Sequence, residues 1–379
     1  MAEISADISE IAVKREKTIV RTSIIGVVTN VLLAAFKAAV GIISNSIAVT
    51  LDAVNNLSDA LSSVITIVGA KLGAKAPDKK HPMGYGRIEY LSSMLVAAIV
   101  IYAGITSCVE SVKKIISPET ADYSTVSLII IAVAIVVKLV LGRFVKTTGE
   151  KVNSGALIAS GSDASFDAIL SASVLASAII FLVTGLSLEA YVGVFISAVI
   201  VKAGIEMMMD TLNDILGQRG DNELSAKIKS LLKEEEGVRG AYDLFLHNYG
   251  PNKNYASVHL ELTDTMTVDE IDRLTRKVQV KVYKETGVIL TAVGVYSYNT
   301  TNKEVAEMRS RIQEAVTAHD WALQMHGFYA DLENKNVRFD VVITFKTDVK
   351  EALGILAAEV KALYPDYHFQ IVPDVDVSD

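Results

Sequence analysis

The sequence contains a single cysteine, Cys108. Disulfide frameworks, zinc ribbons and thiolate metal sites are thereby excluded. It lacks a basic stripe: the net charge is −8 and the basic residues are dispersed, which argues against nucleic acid as a partner. No nucleotide loop, kinase signature or other enzymatic motif is present, so neither an enzyme nor a prosthetic cofactor is expected. The opening "MAEISADISEIAVKREKTIVR" is charged and lacks the apolar core of a cleavable secretory signal. What is abundant is apolar sequence. Hydrophobic residues make up 51% of the 379 positions, and the mean hydropathy is +0.37. They concentrate before about residue 210, in runs near the ~20 residues that a membrane span needs.

Six spans are expected, at 22–44, 46–72, 88–112, 125–145, 155–183 and 188–209. Hydropathy alone supports the second and fifth least, because they carry charged residues. The connections sort by charge. Lys14, Arg15, Lys17 and Arg21 precede the first span; Lys71, Lys75, Lys79, Lys80 and Arg87 lie between the second and third; Arg143, Lys146 and Lys151 lie between the fourth and fifth. The opposite loops are poor in basic residues apart from Lys113 and Lys114. The positive-inside rule then puts both termini in the cytoplasm of a multi-pass plasma-membrane protein.

After about residue 215 the pattern changes to short amphipathic helices and alternating strands. The order helix, strand, turn, strand, helix, strand occurs twice, and both hairpin turns contain Asn-Lys-Asn, at 252–254 and 334–336. The fold expected is an α-helical membrane protein with a cytoplasmic α+β domain, ferredoxin-like and duplicated. The divisions are a cytoplasmic segment 1–20, a six-helix transmembrane domain 21–212, a first module 213–300 and a second module 301–379.

Two stretches interrupt the membrane-like sequence: "LDAVNNLSDAL", with Asp52, Asn55, Asn56 and Asp59, and "GSDASFDAIL", with Asp163 and Asp167. An ionised Asp at the bilayer centre costs at least ~2.5–3.5 kcal/mol on insertion scales. Asp52, Asn55 and Asp59 fall at i, i+3 and i+7, and Asp163 and Asp167 at i and i+4, so each set lies on one helical face. Small neighbours (Ala53, Ser58, Ala60, Gly161, Ser162, Ala164, Ser165) suit close packing of the two helices. Asn55, Asp59, Asp163 and Asp167 then converge on one point. Oxygen donors without sulfur or imidazole define a hard-cation site, and protons compete for the same carboxylates. The plainer alternative is that these residues cap or hydrogen-bond helices within the bundle, and for Asp52, nearer the outer end, the two readings weigh equally.

Together with "DKKHPMGYGRIEYL" after the second span, these features resemble the cation diffusion facilitator family over about residues 10–298. The resemblance implies a homodimeric exporter of divalent transition metal, driven by proton antiport. Asn55 with Asp59, Asp163 and Asp167 looks like the manganese-transporting branch, which agrees with the preference of Mn²⁺ for oxygen donors. Zn²⁺, Fe²⁺, Co²⁺ or Cd²⁺ is the alternative cargo, and an ion channel or a membrane metal sensor the alternative activity. By the same resemblance, Asp78 and His81 match a peripheral metal site that Tyr85 interrupts, with His81 as an ordinary loop residue the alternative; His247 and His259 lie where relatives bind metal in the cytoplasmic domain, with Tyr296 and Tyr298 in the ligand positions of the last strand and plain surface histidines the alternative; and Arg87 and Asp214 match a charge interlock, with interfacial snorkelling weighing equally. In the second module, His319, His326 and His368 are read as scattered histidines and the acidic tail as solvated, with metal sensing the alternative, and the module itself is expected to stabilise the dimer. Lys37 is deep enough in its span to need a partner or a wet cavity, whereas Lys138 and Lys202 can snorkel to the membrane surface.

Overall fold

The computed structural model describes residues 2–43, 47–117, 125–184, 189–217, 222–251 and 253–375. The chain divides into two compact units: Met1–Gln218 with Asn248–Asn252, and Arg219–His247 with Lys253–Asp379.

The first unit is a bundle of long helices: α1 (Ala2–Ile43), α2 (Ile47–Gly73), α3 (Ile88–Ile116), α4 (Thr125–Val152), α5 (Gly155–Thr184) and α6 (Glu189–Leu216). Among the described residues, four segments are long and apolar enough to cross a membrane: Val13–Val40, Ile88–Ile116, Leu128–Val152 and Ala190–Leu216. The helices that carry the Asp and Asn pairs, α2 and α5, are not among them. Large apolar side chains such as Leu32, Val140 and Phe195 face outward from the bundle, as they do where lipid rather than water is the solvent. Helix α1 packs on α2, α3 on α6 and α4 on α5, and α2 also meets α5.

The α4–α5 hairpin turns through Asn153, whose φ of 50° is a left-handed conformation that Asn tolerates. The two helices then run back to back at glycine. A Cβ on Gly161 would lie 2.4 Å from the Lys146 backbone nitrogen and 2.8 Å from the Gly142 carbonyl. Only a hydrogen fits there, so the small residues set the depth at which α4 side chains meet α5.

The second unit holds two three-stranded mixed sheets. The first combines α7 (Asn222–Lys233), β1 (Val238–Asn248), β2 (Asn254–Thr263), α8 (Val268–Thr286) and β3 (Ile289–Tyr298), in strand order β1-β2-β3 with β2 and β3 parallel. The second combines α9 (Lys303–Thr317), β4 (Ala322–Asp331), β5 (Asn336–Ile343), α10 (Val349–Leu363) and β6 (His368–Val375), in strand order β4-β5-β6. There β4–β5 is antiparallel and β5–β6 parallel. Three of the unit's four helices bury a stripe at i, i+4 and i+8: Leu274, Val278 and Val282 on α8, Met308, Ile312 and Val316 on α9, Ala352, Leu356 and Val360 on α10; α7 buries Ser225, Ile228 and Leu232. These stripes cover one face of each sheet. Helix starts are capped by Thr267 with Glu270, by Asn302 and by Asp348.

One buried ion pair ties the first unit together. The Arg15 guanidinium on α1 donates to both Glu89 carboxylate oxygens on α3, at 2.6 and 2.7 Å. Its remaining donors reach the Val152 and Asn153 carbonyls, at 2.7 and 2.8 Å, where α4 ends. The planar fork suits the carboxylate, and a cation suits the negative end of the α4 dipole. Both side chains are largely shielded, at 13% and 9% exposure. Arg15→Ala strands a buried carboxylate and two carbonyls, and should cost about 3–5 kcal/mol. Thermal melting in detergent measures this. The Arg15→Ala, Glu89→Ala double variant should lose clearly less than the sum of the two single losses.

Candidate metal centre

Three carboxylates meet where α2 faces α5. Asp59 comes from α2, and Asp163 and Asp167 come one turn apart from α5. Asp163 is 6% exposed and Asp59 9%, and Asp163 lies within electrostatic reach of both other carboxylates. The ammonium of Lys138, on α4, sits among them. It is 2.9 Å from Asp59 Oδ2 and in close contact with Asp167 Oδ2. Lys138 is 3% exposed. The expectation that it reaches the membrane surface is therefore corrected: the glycine contact between α4 and α5 holds it at the depth of the carboxylates, where pairing costs less than carrying bare charges. Lys37, also 3% exposed, acts electrostatically on Asp59 from α1. Lys202 pairs instead with Glu206 on an exposed face of α6, at 3.5 Å.

Asn55 lies one turn before Asp59 on α2, and Asp52 nearly one turn before that; the side chains of both are outside the described residues. The neighbouring Asn56 is fully buried, and neither of its amide atoms has a hydrogen-bond partner among the described residues. This arrangement can hold a cation in a ring of oxygens. It already does so with a lysine, which is a mobile point charge on a flexible stem.

The accessory residues separate. Asp78 accepts from the Tyr85 hydroxyl at 2.6 Å and from the Lys80 and His81 backbone nitrogens. The Tyr85 bond, followed by that from His81, holds the Asp78 carboxyl well below the usual range. The His81 ring lies outside this bonding, with Nδ1 3.8 Å from Asp78 Oδ1 and the ring against Tyr85. Arg87 donates to the Asn248 carbonyl and covers the Tyr249 ring, while Asp214 stands near the end of α6. His247 is exposed beside Phe245, and His259 points elsewhere, to Asp243 at 2.8 Å. The Tyr298 ring lies between Arg239 and Arg309.

In the second module His319 pairs with Glu359, and His368 is exposed. His326 is 1% exposed, so it is not simply one of a scatter of histidines: its strand turns it toward the first sheet. The residues after 375 are outside the described ones. Of the functional residues that sequence reasoning passed over, Lys138 left the clearest signal. It lies mid-span, too far from either end of a 28-residue helix for easy escape.

The cation efflux transmembrane domain matches residues 23–216, and the cation efflux cytoplasmic domain matches residues 221–292. An uncharacterized transporter of Methanocaldococcus jannaschii is 26% identical, covering 65% of this chain and 87% of its own. The manganese efflux system protein MneP of Bacillus subtilis is 23% identical, over 72% of this chain and 94% of its own. A cadmium, cobalt and zinc/H(+)-K(+) antiporter of Bacillus velezensis is 25% identical, over 63% of this chain and 76% of its own. With a helical membrane domain matched along most of its length and a cytoplasmic α+β domain behind it, the chain belongs to the cation efflux family and is a multi-pass divalent metal cation transporter, not an enzyme.

Proposed function

We propose that this protein exports Mn²⁺ in exchange for protons, by alternating access at Asn55, Asp59, Asp163 and Asp167, as a homodimer with six spans and both termini in the cytoplasm. The observation that carries this reading is the meeting of Asp59, Asp163 and Asp167 around a buried ammonium. Carboxylates and an amide are hard donors. They suit Mn²⁺, and the set lacks the imidazole or thiolate that favours Zn²⁺. A manganese efflux protein among the relatives supports the same choice. The relative that handles cadmium, cobalt and zinc supports a broader cargo, but the donor set of this chain weighs against it.

Lys138 gives the exchange a physical form. When no metal is bound, its ammonium bridges two of the carboxylates and offsets one negative charge. A divalent ion entering the ring takes its place, and protons compete with the ion for the same oxygens. Arg87 and Asp214 would brace α3 against α6 at the inner surface. Asp52 would orient a ligand from nearer the outer end. Asp78 with His81, and His247, would serve at most as weak peripheral sites.

Proteoliposomes with a pH-sensitive dye inside test the reading against a panel of Mn²⁺, Zn²⁺, Fe²⁺, Co²⁺ and Cd²⁺. Mn²⁺ flux should be fastest and should move protons the opposite way. Asp59→Ala, Asp163→Ala and Asp167→Ala should each reduce flux to that of empty liposomes while remaining folded. Near-parental flux in any of them would sink the site assignment. In the same assay Asn55→His should raise the Zn²⁺/Mn²⁺ flux ratio, because it adds a nitrogen ligand. Lys138→Met should be stabilised by Mn²⁺ more than the parent is, since the ion then supplies the charge that the ammonium had supplied. Melting curves in detergent with and without MnCl₂ read this out. An equal or smaller rise means that Lys138 does not compete for the cation position.

A further inference from the structure

The two modules of the second unit meet through the sheet faces that their helices leave open. Their cores show how. Ala256, Val258, Leu260 and Leu262 on β2 match Val337, Phe339, Val341 and Ile343 on β5, each alternating inward. His259 and Asp340 therefore occupy equivalent positions, directed away from the helices. On the first strands of the two sheets, Tyr242 and His326 stack with ring centroids 4.9 Å apart and nearly parallel. Each strand then carries a left-handed residue: Asp243 at φ 51° and Gly327 at φ 61°. In β4 this coincides with a break in register between His326 and Tyr329. Such irregularities re-aim side chains.

What they aim at is a common point. Ligand atoms of Asp243, His326 and Asp340 lie within 4.8 Å of one another. His326 Nε2 is 2.8 Å from Asp243 Oδ1 and 3.5 Å from Asp374 Oδ2. His259 Nδ1 is 2.8 Å from Asp243 Oδ2. These are close approaches without hydrogen-bond alignment. Neither nitrogen of His326, nor Asp243 Oδ1, Asp340 Oδ1 or His259 Nδ1, makes an aligned hydrogen bond among the described residues. Buried polar atoms are normally paired. Atoms directed at a shared centre rather than at each other are what a coordination shell requires. Two metal–ligand bonds of ~2.0–2.2 Å placed opposite one another nearly span the cluster.

Tyr296 adds a second reason. Its hydroxyl lies 2.6 Å from Asp243 Oδ2 and 3.0 Å from Asp340 Oδ2. A phenol has one proton, so it can donate to only one of two carboxylates. Two carboxylates held this close under low dielectric call for a cation between them. The surroundings favour positive charge at this point: burial opposes protonation of the His326 ring, but Asp243, Asp374 and Asp340 outweigh burial and raise its pKa.

We propose that Asp243, His259, His326 and Asp340, with Tyr296 orienting the carboxylates, bind one divalent transition-metal ion between the two modules of a single chain. Mixed imidazole and carboxylate donors take Zn²⁺ more tightly than Mn²⁺ and leave Mg²⁺ alone. The matched cytoplasmic domain ends at residue 292, before His326 and Asp340. Half of the site is thus contributed by the second module, which alone carries too few ligands to hold an ion. Filling it fastens the second module to the first. The site lies wholly within the second unit, and its test does not depend on transport.

The test uses the full-length protein in detergent, stripped of metal, with a background Asp163→Ala substitution that silences the intramembrane ring. Equilibrium dialysis should find one equivalent of Zn²⁺ per chain, weaker Mn²⁺ and no Mg²⁺. Co²⁺ should give visible absorption of a nitrogen- and oxygen-ligated ion. His326→Asn and Asp340→Asn should each lower Zn²⁺ affinity at least about tenfold and abolish the band. His259→Asn, at a ring still 43% exposed, should weaken binding without threatening the fold. It decides the matter if the buried variants do not fold. Zinc stoichiometry and affinity unchanged in His259→Asn and in whichever other variants keep the parental circular dichroism would overturn the proposal, as would a background protein that binds no Zn²⁺.

Discussion

The ammonium of Lys138 between Asp59 and Asp167 is the contact on which the membrane unit turns. Charges removed from water must be matched locally, and three carboxylates at one depth are tolerable only beside a cation. A lysine placed mid-helix on α4 meets that demand because glycine lets α4 and α5 approach backbone to backbone. The small residues, the carboxylates and the lysine are one device. Remove the close packing, and the lysine no longer reaches Asp59.

The second buried ion pair has a different character. Arg15 spends its guanidinium donors on Glu89 and on two helix-terminal carbonyls, a planar geometry that a spherical ion cannot imitate. Lys138 offers a point charge on four methylenes, which a metal ion can imitate. One pair therefore fixes the ends of α1, α3 and α4; the other, under the proposed exchange, keeps the middle of the bundle replaceable. A transporter needs both: a frame that keeps its helices in register, and a centre whose cation can be replaced.

The second unit shows duplication with divergence. The buried stripes on the helices and strands of the two modules are close copies, because any amphipathic helix on a sheet must satisfy the same packing. The open faces are free to differ, and they do. Tyr242 corresponds to His326, Asp243 to Gly327, and His259 to Asp340. His326 is an imidazole where Tyr242 is a stacking ring, Asp243 a carboxylate where Gly327 has no side chain, and His259 and Asp340 exchange imidazole for carboxylate. The result is a mixed set of nitrogen and oxygen donors that neither module carries alone.

Much of this was legible in the sequence. Runs of apolar residues marked the helices, because a bilayer sets their length. The spacings of Asp59, Asp163 and Asp167 placed them on two faces, because the helical period is fixed. The repeated order of elements announced the two modules, because local periodicity is a local property. What the sequence could not decide were partnerships between elements distant along the chain. Lys138 with Asp59, Arg15 with Glu89, and His326 with Asp243 are separated by 79, 74 and about 83 positions. No period or motif links such positions. They become neighbours only when helices cross at particular glycines and two sheets turn their open faces together. Whether a charged residue then snorkels, braces the frame or waits for an ion depends on what the fold has placed within about 3 Å of it.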